Sequence, residues 1–454
     1  MARALATYPA LSATAAPVGL TEARRRFIVR LVLLIYVLSL VEGPLRKWFL
    51  PGLSAPLYFV RDPFLLVLYA YALHHGVMTR LKLARVWYLF IAVTTIVAII
   101  PFVAHDITPV AYVLGARSYW LYVPLGFIVA ATFTRDDLER FFRWNVLLAI
   151  PYAALVVYQY QQPPGAWINR GTNDAHQIAT VSFGIPRPYG LFTYTGQNVG
   201  FTAFLVANYI AYVFTRRRGW RELLLAAAGA VAVGSCAVLT GSRSIYFLVA
   251  LILLVTLVGS TLARPSGRVL RRNALILLAV AVAAGLFTSV YGDMFTAMVA
   301  RFERAAAAEA DQGGLVGRAL GGVVGWLEPM VTAPFFGHGI GTGTPALSRF
   351  LDTAHLRYGE GELERVVNEL GPLFGAGFIA MRWLTAAAVL WVAFRAAQRG
   401  YPALLPLAGF VLPVLVVGQL THSPLNAFAP WLTTGVLLSE AIRRTRTVAM
   451  CITK

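Results

Sequence analysis

Acidic residues are scarce in this 454-residue chain, with 20 aspartates and glutamates against 39 lysines and arginines, and charged residues of all kinds make up only 13% of it. Soluble domains carry about 25%. Together with 58% hydrophobic residues and a mean hydropathy of +0.67, the deficit excludes an ordinary soluble globule. Cysteine is nearly missing: Cys236 in an apolar run and Cys451 at the tail give neither a disulfide framework nor a metal-ligand spacing. Histidine is little better supplied, and His338, His355 and His422 form no pair at ligand spacing on one helix. No metal site and no other cofactor is therefore expected. Apolar–polar alternation is missing from the long apolar runs, which excludes a membrane β-barrel.

What is present is a series of apolar runs of about 18–20 residues, each able to cross ~30 Å of hydrocarbon as a helix. The expected fold class is all-α, a polytopic membrane protein in a lipid bilayer with about twelve spans. The runs fall near Phe27–Val41, Leu57–Leu73, Val86–Ala104, Arg117–Phe133, Trp144–Tyr160, Gly196–Phe214, Leu223–Leu239, Ser244–Leu262 and Ala274–Tyr291, then Gly371–Phe394, Pro402–Gln419 and Leu425–Ile442. The Ala/Thr-rich residues 1–26 read as a disordered tail. Spans one to nine occupy 27–291, a large connection 292–370, spans ten to twelve 371–442, and a second tail 443–454. The net charge of +19 is spread between the runs rather than gathered on one soluble face, so nucleic acid is not an expected partner.

Lysine and arginine concentrate in alternate connections, among them Arg24–Arg26, Arg216–Arg218, Arg271–Arg272 and Arg443–Arg444. Such bias marks the cytoplasmic side, so both termini are expected there and the 292–370 connection on the outside. Within that connection, Phe295, Met298, Val299 and Phe302 follow helical spacing, as do Val316, Leu320, Val323, Val324 and Leu327. These pieces are expected to be amphipathic helices. The glycines of Gly337–Gly343 mark either a flexible turn or a phosphate cradle.

The chemistry on offer is arginine and glutamate. Arg243, Arg318 and Arg365 suit a diphosphate, because a planar guanidinium donates two parallel hydrogen bonds and stays charged. They equally suit pairing with neighbouring glutamates, although Thr240-Gly241-Ser242-Arg243 offers no local acid. Glu362, Arg365 and Glu369 share a helical spacing of three and four, which presents either a general base in an acid-rich setting or a salt-bridged helix start. Arg382 lies about 11 residues inside its run, roughly 16 Å deep. It either binds substrate or holds a buried partner. His338 and Arg187 complete the candidates.

Four stretches together resemble the O-antigen ligase and polysaccharide polymerase superfamily. They are Leu239-Thr240-Gly241-Ser242-Arg243; Gly317-Arg318 followed by Trp326; Ala333-Pro334-Phe335-Phe336-Gly337-His338-Gly339-Ile340-Gly341; and Glu369-Leu370-Gly371-Pro372-Leu373-Phe374-Gly375. The likeness is best from about Gly196 to Arg395. Glu42-Gly43-Pro44-Leu45-Arg46-Lys47-Trp48 with Arg61-Asp62-Pro63, and Arg187-Pro188-Tyr189-Gly190-Leu191-Phe192, look like a less-studied branch of the group. The resemblance implies a metal-independent, inverting glycosyltransferase of the bacterial inner membrane. Its donor would be an undecaprenyl-diphosphate-linked glycan, and its acceptor a glycan or lipid A-core. Arg243 and Arg318 match the family's diphosphate-binding arginines. The family's His-Asn pair is replaced by Glu360-Gly361-Glu362, so the base role falls to Glu362, with Arg365 orienting it. The missing pair leans the reading toward an exopolysaccharide polymerase. A multi-span transporter or lipid-linked glycan flippase is the alternative.

Overall fold

A computed structural model describes residues 20–78, 81–104, 108–172, 178–309, 317, 321–343 and 361–452. Its long helices are α1 (Glu22–Pro44), α2 (Asp62–His74), α3 (Lys82–Val97), α4 (Pro109–Trp120), α5 (Val123–Thr132), α6 (Arg135–Gln161) and α7 (Thr195–Thr215). They continue as α8 (Trp220–Leu239), α9 (Arg243–Ala263), α10 (Gly267–Val290), α11 (Gly292–Glu309), α12 (Glu362–Gln398), α13 (Leu404–Val416) and α14 (Pro424–Ile452). Every expected run has a helix over it. Among the described residues, ten helical segments are long and apolar enough to span a bilayer, and α13 is a shorter apolar helix of 13 residues. The protein is an all-α, multi-pass membrane protein.

The bundle is layered by burial. The segments Pro109–Thr132 and Thr195–Thr215 bury 78% and 67% of their most apolar windows, whereas Gly267–Val290 buries 6%. A helix that is apolar all round yet unburied in protein faces lipid, so α10 lies at the rim. Inside, small residues let backbones touch. A methyl on Gly126 of α5 would stand 2.8 Å from the Trp431 carbonyl oxygen of α14, and one on Gly435 2.4 Å from that of Gly126. Without a hydrophobic drive between helices in lipid, such close packing is what holds them together.

Two helices depart from simple spans. In α12, Gly371 has φ 79° and ψ 166°, so the helix breaks there. A straight helix would separate Glu362 and Arg382 by about 30 Å, yet their side chains lie 3.5 Å apart. The piece 362–370 therefore folds back along the piece that follows, and a methyl on Gly375 would meet the Cα of Val367 at 2.6 Å. Leu363, Val366, Val367 and Leu370 are buried in this hairpin. Residues 362–370, expected as the end of a surface connection, are instead packed into the bundle. The second departure is α13, about 20 Å long by helical rise.

Helix α11 is amphipathic, as its spacing predicts, but its buried stripe is Met294, Ala297 and Met298, with Phe302 partly covered. Phe295 and Val299 are exposed. The stripe is turned by about one residue from the expected one, and α11 also packs on the segment 182–184. Residues 316 and 318–320 of the second expected amphipathic piece lie outside the described residues.

Candidate functional site

The sequence-predicted residues fall into two groups. The first is built on the α12 hairpin. Glu362 is buried and its carboxylate is fully engaged. One oxygen accepts the Arg365 guanidinium at 2.6 Å. The other accepts the backbone N–H of Thr421 at 2.7 Å and its hydroxyl at 3.0 Å, and faces Arg382. Arg365 also donates to the Thr421 hydroxyl at 2.6 Å, and its Nη1 is buried without a hydrogen-bond acceptor.

Arg382 has its partner in the end of α13. It donates to the carbonyls of Leu415 at 2.9 Å and of Val414 and Gly418, both at 2.7 Å. Trp383 adds a bond to the Val416 carbonyl at 3.0 Å. Carbonyls at a helix end have no intrahelical donor, and in hydrocarbon no water replaces one. Of the two readings of Arg382, the buried partner is the one its contacts fill.

Glu369 organises the glycine-rich turn. Its carboxylate oxygens accept the N–H groups of Gly341 at 3.1 Å and Gly343 at 2.7 Å. His338 donates its backbone N–H to the Asn368 carbonyl at 2.8 Å, and Gly339 donates to the Glu369 carbonyl at 3.1 Å. Glycine is required at the contact: Gly337 has φ 71°, and a methyl there would stand 2.3 Å from the Glu369 carbonyl oxygen. The turn's donors thus hold a protein carboxylate, the ligand that a phosphate cradle would otherwise take from outside. His338 is half-buried within it.

The second group is cationic. Arg243 opens α9, and its guanidinium lies 5.9 Å from the Phe302 ring of α11. Arg301 donates to the Gly241 carbonyl at 2.8 Å, and Arg304 reaches the Ser182 hydroxyl. Arg187 passes beneath Gly241, whose added methyl would meet the Arg187 Cγ at 2.9 Å. Gly241 sits at φ 58°, in the left-handed region that favours glycine. The Arg187 Nε is buried without an acceptor. Among the described residues, no carboxylate pairs with Arg187, Arg301 or Arg304. Burial, and then Arg301, push the Arg187 guanidinium down to about 10. Burial, with Arg243 and Arg304 after it, also lowers Arg301. Arg187, Arg243 and Arg301 thus crowd one glycine, with Arg304 next to them, an arrangement suited to an anion. Arg318 lies outside the described residues.

Beside the first group stand two side chains that sequence reasoning passed over, Tyr194 and Tyr119, and one, His422, that it weighed only as a metal ligand. Tyr194 donates toward Asn426 at 3.2 Å, with its ring 6.0 Å from that of His422. Burial, then Arg365, hold the His422 imidazole below its ordinary value. The buried hydroxyl of Tyr119, on α4, faces the Glu369 carboxylate of α12. Their partners lie far off in the chain, which is why spacing could not reveal them.

No protein-family model matches this chain, and no curated protein does either.

Proposed function

We propose that this protein is a glycosyltransferase of the bacterial inner membrane, working on the outer side with both termini cytoplasmic. In this reading it transfers a glycan from undecaprenyl diphosphate to a glycan or lipid-linked acceptor, as a surface-polysaccharide polymerase or ligase of the O-antigen ligase-like group. The observation that carries it is the gathering of Arg187, Arg243 and Arg301 around Gly241, where no carboxylate among the described residues pairs with Arg187 or Arg301. The lysine and arginine bias of the short connections puts that end of the bundle outside.

The acceptor hydroxyl oxygen forms a bond to the anomeric carbon of the donor while the bond from that carbon to the diphosphate oxygen breaks. The leaving diphosphate gains charge, and the arginines, already placed and partly dried, stabilise it more than they stabilise the bound ester. The hydroxyl proton goes to a base. Glu362 takes that role when the Thr421 and Arg365 contacts release one of its oxygens. At rest the same contacts make it a brace for Arg365. A Glu362→Gln protein that retains near-normal transfer removes Glu362 from the reaction and leaves it the brace.

The test is deletion in the source organism followed by analysis of carrier-linked glycans. Accumulated single repeat units identify a polymerase, and accumulated long carrier-linked chains a ligase. Donor glycan trapped on the inner leaflet overturns the proposal in favour of a flippase.

A further inference from the structure

The stretch 42–63 contributes nothing to either group above, yet it holds the most heavily buried charges outside them. Arg61 is 1% exposed, Lys47 2%, Arg46 6% and Glu42 8%, and Arg117 of α4, which packs against this stretch, is 6% exposed. Glu42 accepts Arg46 and Arg61, each at 2.8 Å. Asp62 accepts Arg117 through both oxygens, at 2.6 and 3.1 Å. Lys47 donates to the Gly190 carbonyl at 2.8 Å. Arg61 and Arg117 thus stand together against Glu42 and Asp62, with Arg46 beside Glu42 and Lys47 on the neighbouring chain.

The ion pairs do not use every donor. Nε and Nη1 of Arg61 and Nη1 of Arg117 are buried with no acceptor among the described residues, and the Tyr122 hydroxyl is buried without a partner there too. The Tyr122 ring lies 6.0 Å from the Arg61 guanidinium, and the Tyr58 ring 4.3 Å from that of Arg117. These rings attract cations through their faces but supply no acceptor for the outward N–H groups. Buried donors of this kind are satisfied in native proteins, and guanidinium N–H groups beside a hydroxyl are suited to an oxyanion.

The surroundings are rigid. Gly43 touches the chain at Leu191, where an added methyl would stand 1.9 Å from the carbonyl oxygen. Gly190 is held by Gln159, which accepts its N–H at 2.8 Å and donates to its carbonyl at 3.2 Å. The strand of chain 187–191 therefore joins Arg187 to Lys47, and both cationic groups lie at the same end of the bundle.

We propose that Arg61 and Arg117, with the Tyr122 hydroxyl, form a second anion-binding site for a carboxylate or phosphate group carried by a glycan or a lipid head group. Fork-shaped guanidinium edges fit either oxyanion. The site is independent of the transfer reaction proposed above.

The test uses the full chain in nanodiscs of zwitterionic lipid at constant ionic strength. Inorganic phosphate, pyrophosphate and glucuronate are titrated separately against chloride while the unfolding midpoint is read. A rise of several degrees at saturation is expected, since a ligand that binds only the folded state stabilises it. Glucuronate acting alone identifies the carboxylate source, and phosphate or pyrophosphate alone the phosphate source. The rise disappears in Arg61→Gln and in Arg117→Lys, which keeps the charge facing Asp62. It persists in a protein carrying both Arg187→Ala and Arg243→Ala. No rise in the unaltered protein overturns the proposal. So does a rise that Arg61→Gln and Arg117→Lys retain, or one that the Arg187→Ala, Arg243→Ala pair abolishes.

Discussion

Arginines in this protein do two different jobs, and their partners tell them apart. Arg365 and Arg382 are used up on Glu362, Thr421 and the end of α13. Arg187 and Arg301 meet carbonyls or nothing. Arg243→Ala and Arg187→Ala are expected to insert normally and to lose transfer roughly ten- to a hundredfold, as loss of a charge-assisted contact worth ~1.5–3 kcal/mol implies. Lysine at either position recovers little, because it lacks the planar fork. Both are checked by transfer assays in membranes. By contrast, Arg382→Leu leaves three buried carbonyls without their donor and takes one of two cations from Glu362. Breaking a buried pair costs about 3–5 kcal/mol, so a large loss of thermal stability is expected, measured on the purified protein. The Glu362–Arg365 pairing was readable from a spacing of three. Thr421, which completes it, is 59 residues from Glu362 and gave no local sign.

Helices were the easiest elements to read, because hydropathy over some twenty residues is a local property and every expected run is helical. Their interruptions were not. Gly371-Pro372 marked a break, but a break does not say which way the preceding piece turns. That is set by Leu363, Val366 and Val367 finding cover inside the bundle and by Glu369 meeting the Gly341 and Gly343 amides. Glu369→Leu leaves those two N–H groups unpaired, at about 1–3 kcal/mol each. Gly371→Ala forces a side chain into the left-handed region, 2.2 Å from the Phe335 carbonyl oxygen. Both variants are expected to loosen the same hairpin, seen as faster protease cleavage near residue 370 with the rest of the bundle intact.

Taken as one body, the protein grades from a polar, glycine-contacted interior to a lipid-facing rim at α10. Leu278 is 61% exposed near the middle of that helix. Leu278→Lys is expected to impair insertion by ~2.5–3.5 kcal/mol, while Leu278→Ala inserts like the parent. Glycosylation-site mapping or membrane yield distinguishes them. The bundle's existence and its crowded connection followed from composition and run length. The grading did not, since α7 and α10 are both apolar and only packing separates them.

The stunted α13 has one more effect. Its last carbonyls are satisfied by Arg382 within the bundle, so the helix ends without calling on solvent. Thr421 follows five residues after Val416 and braces Glu362, so adding one turn to α13 would pull apart both halves of this lock at once.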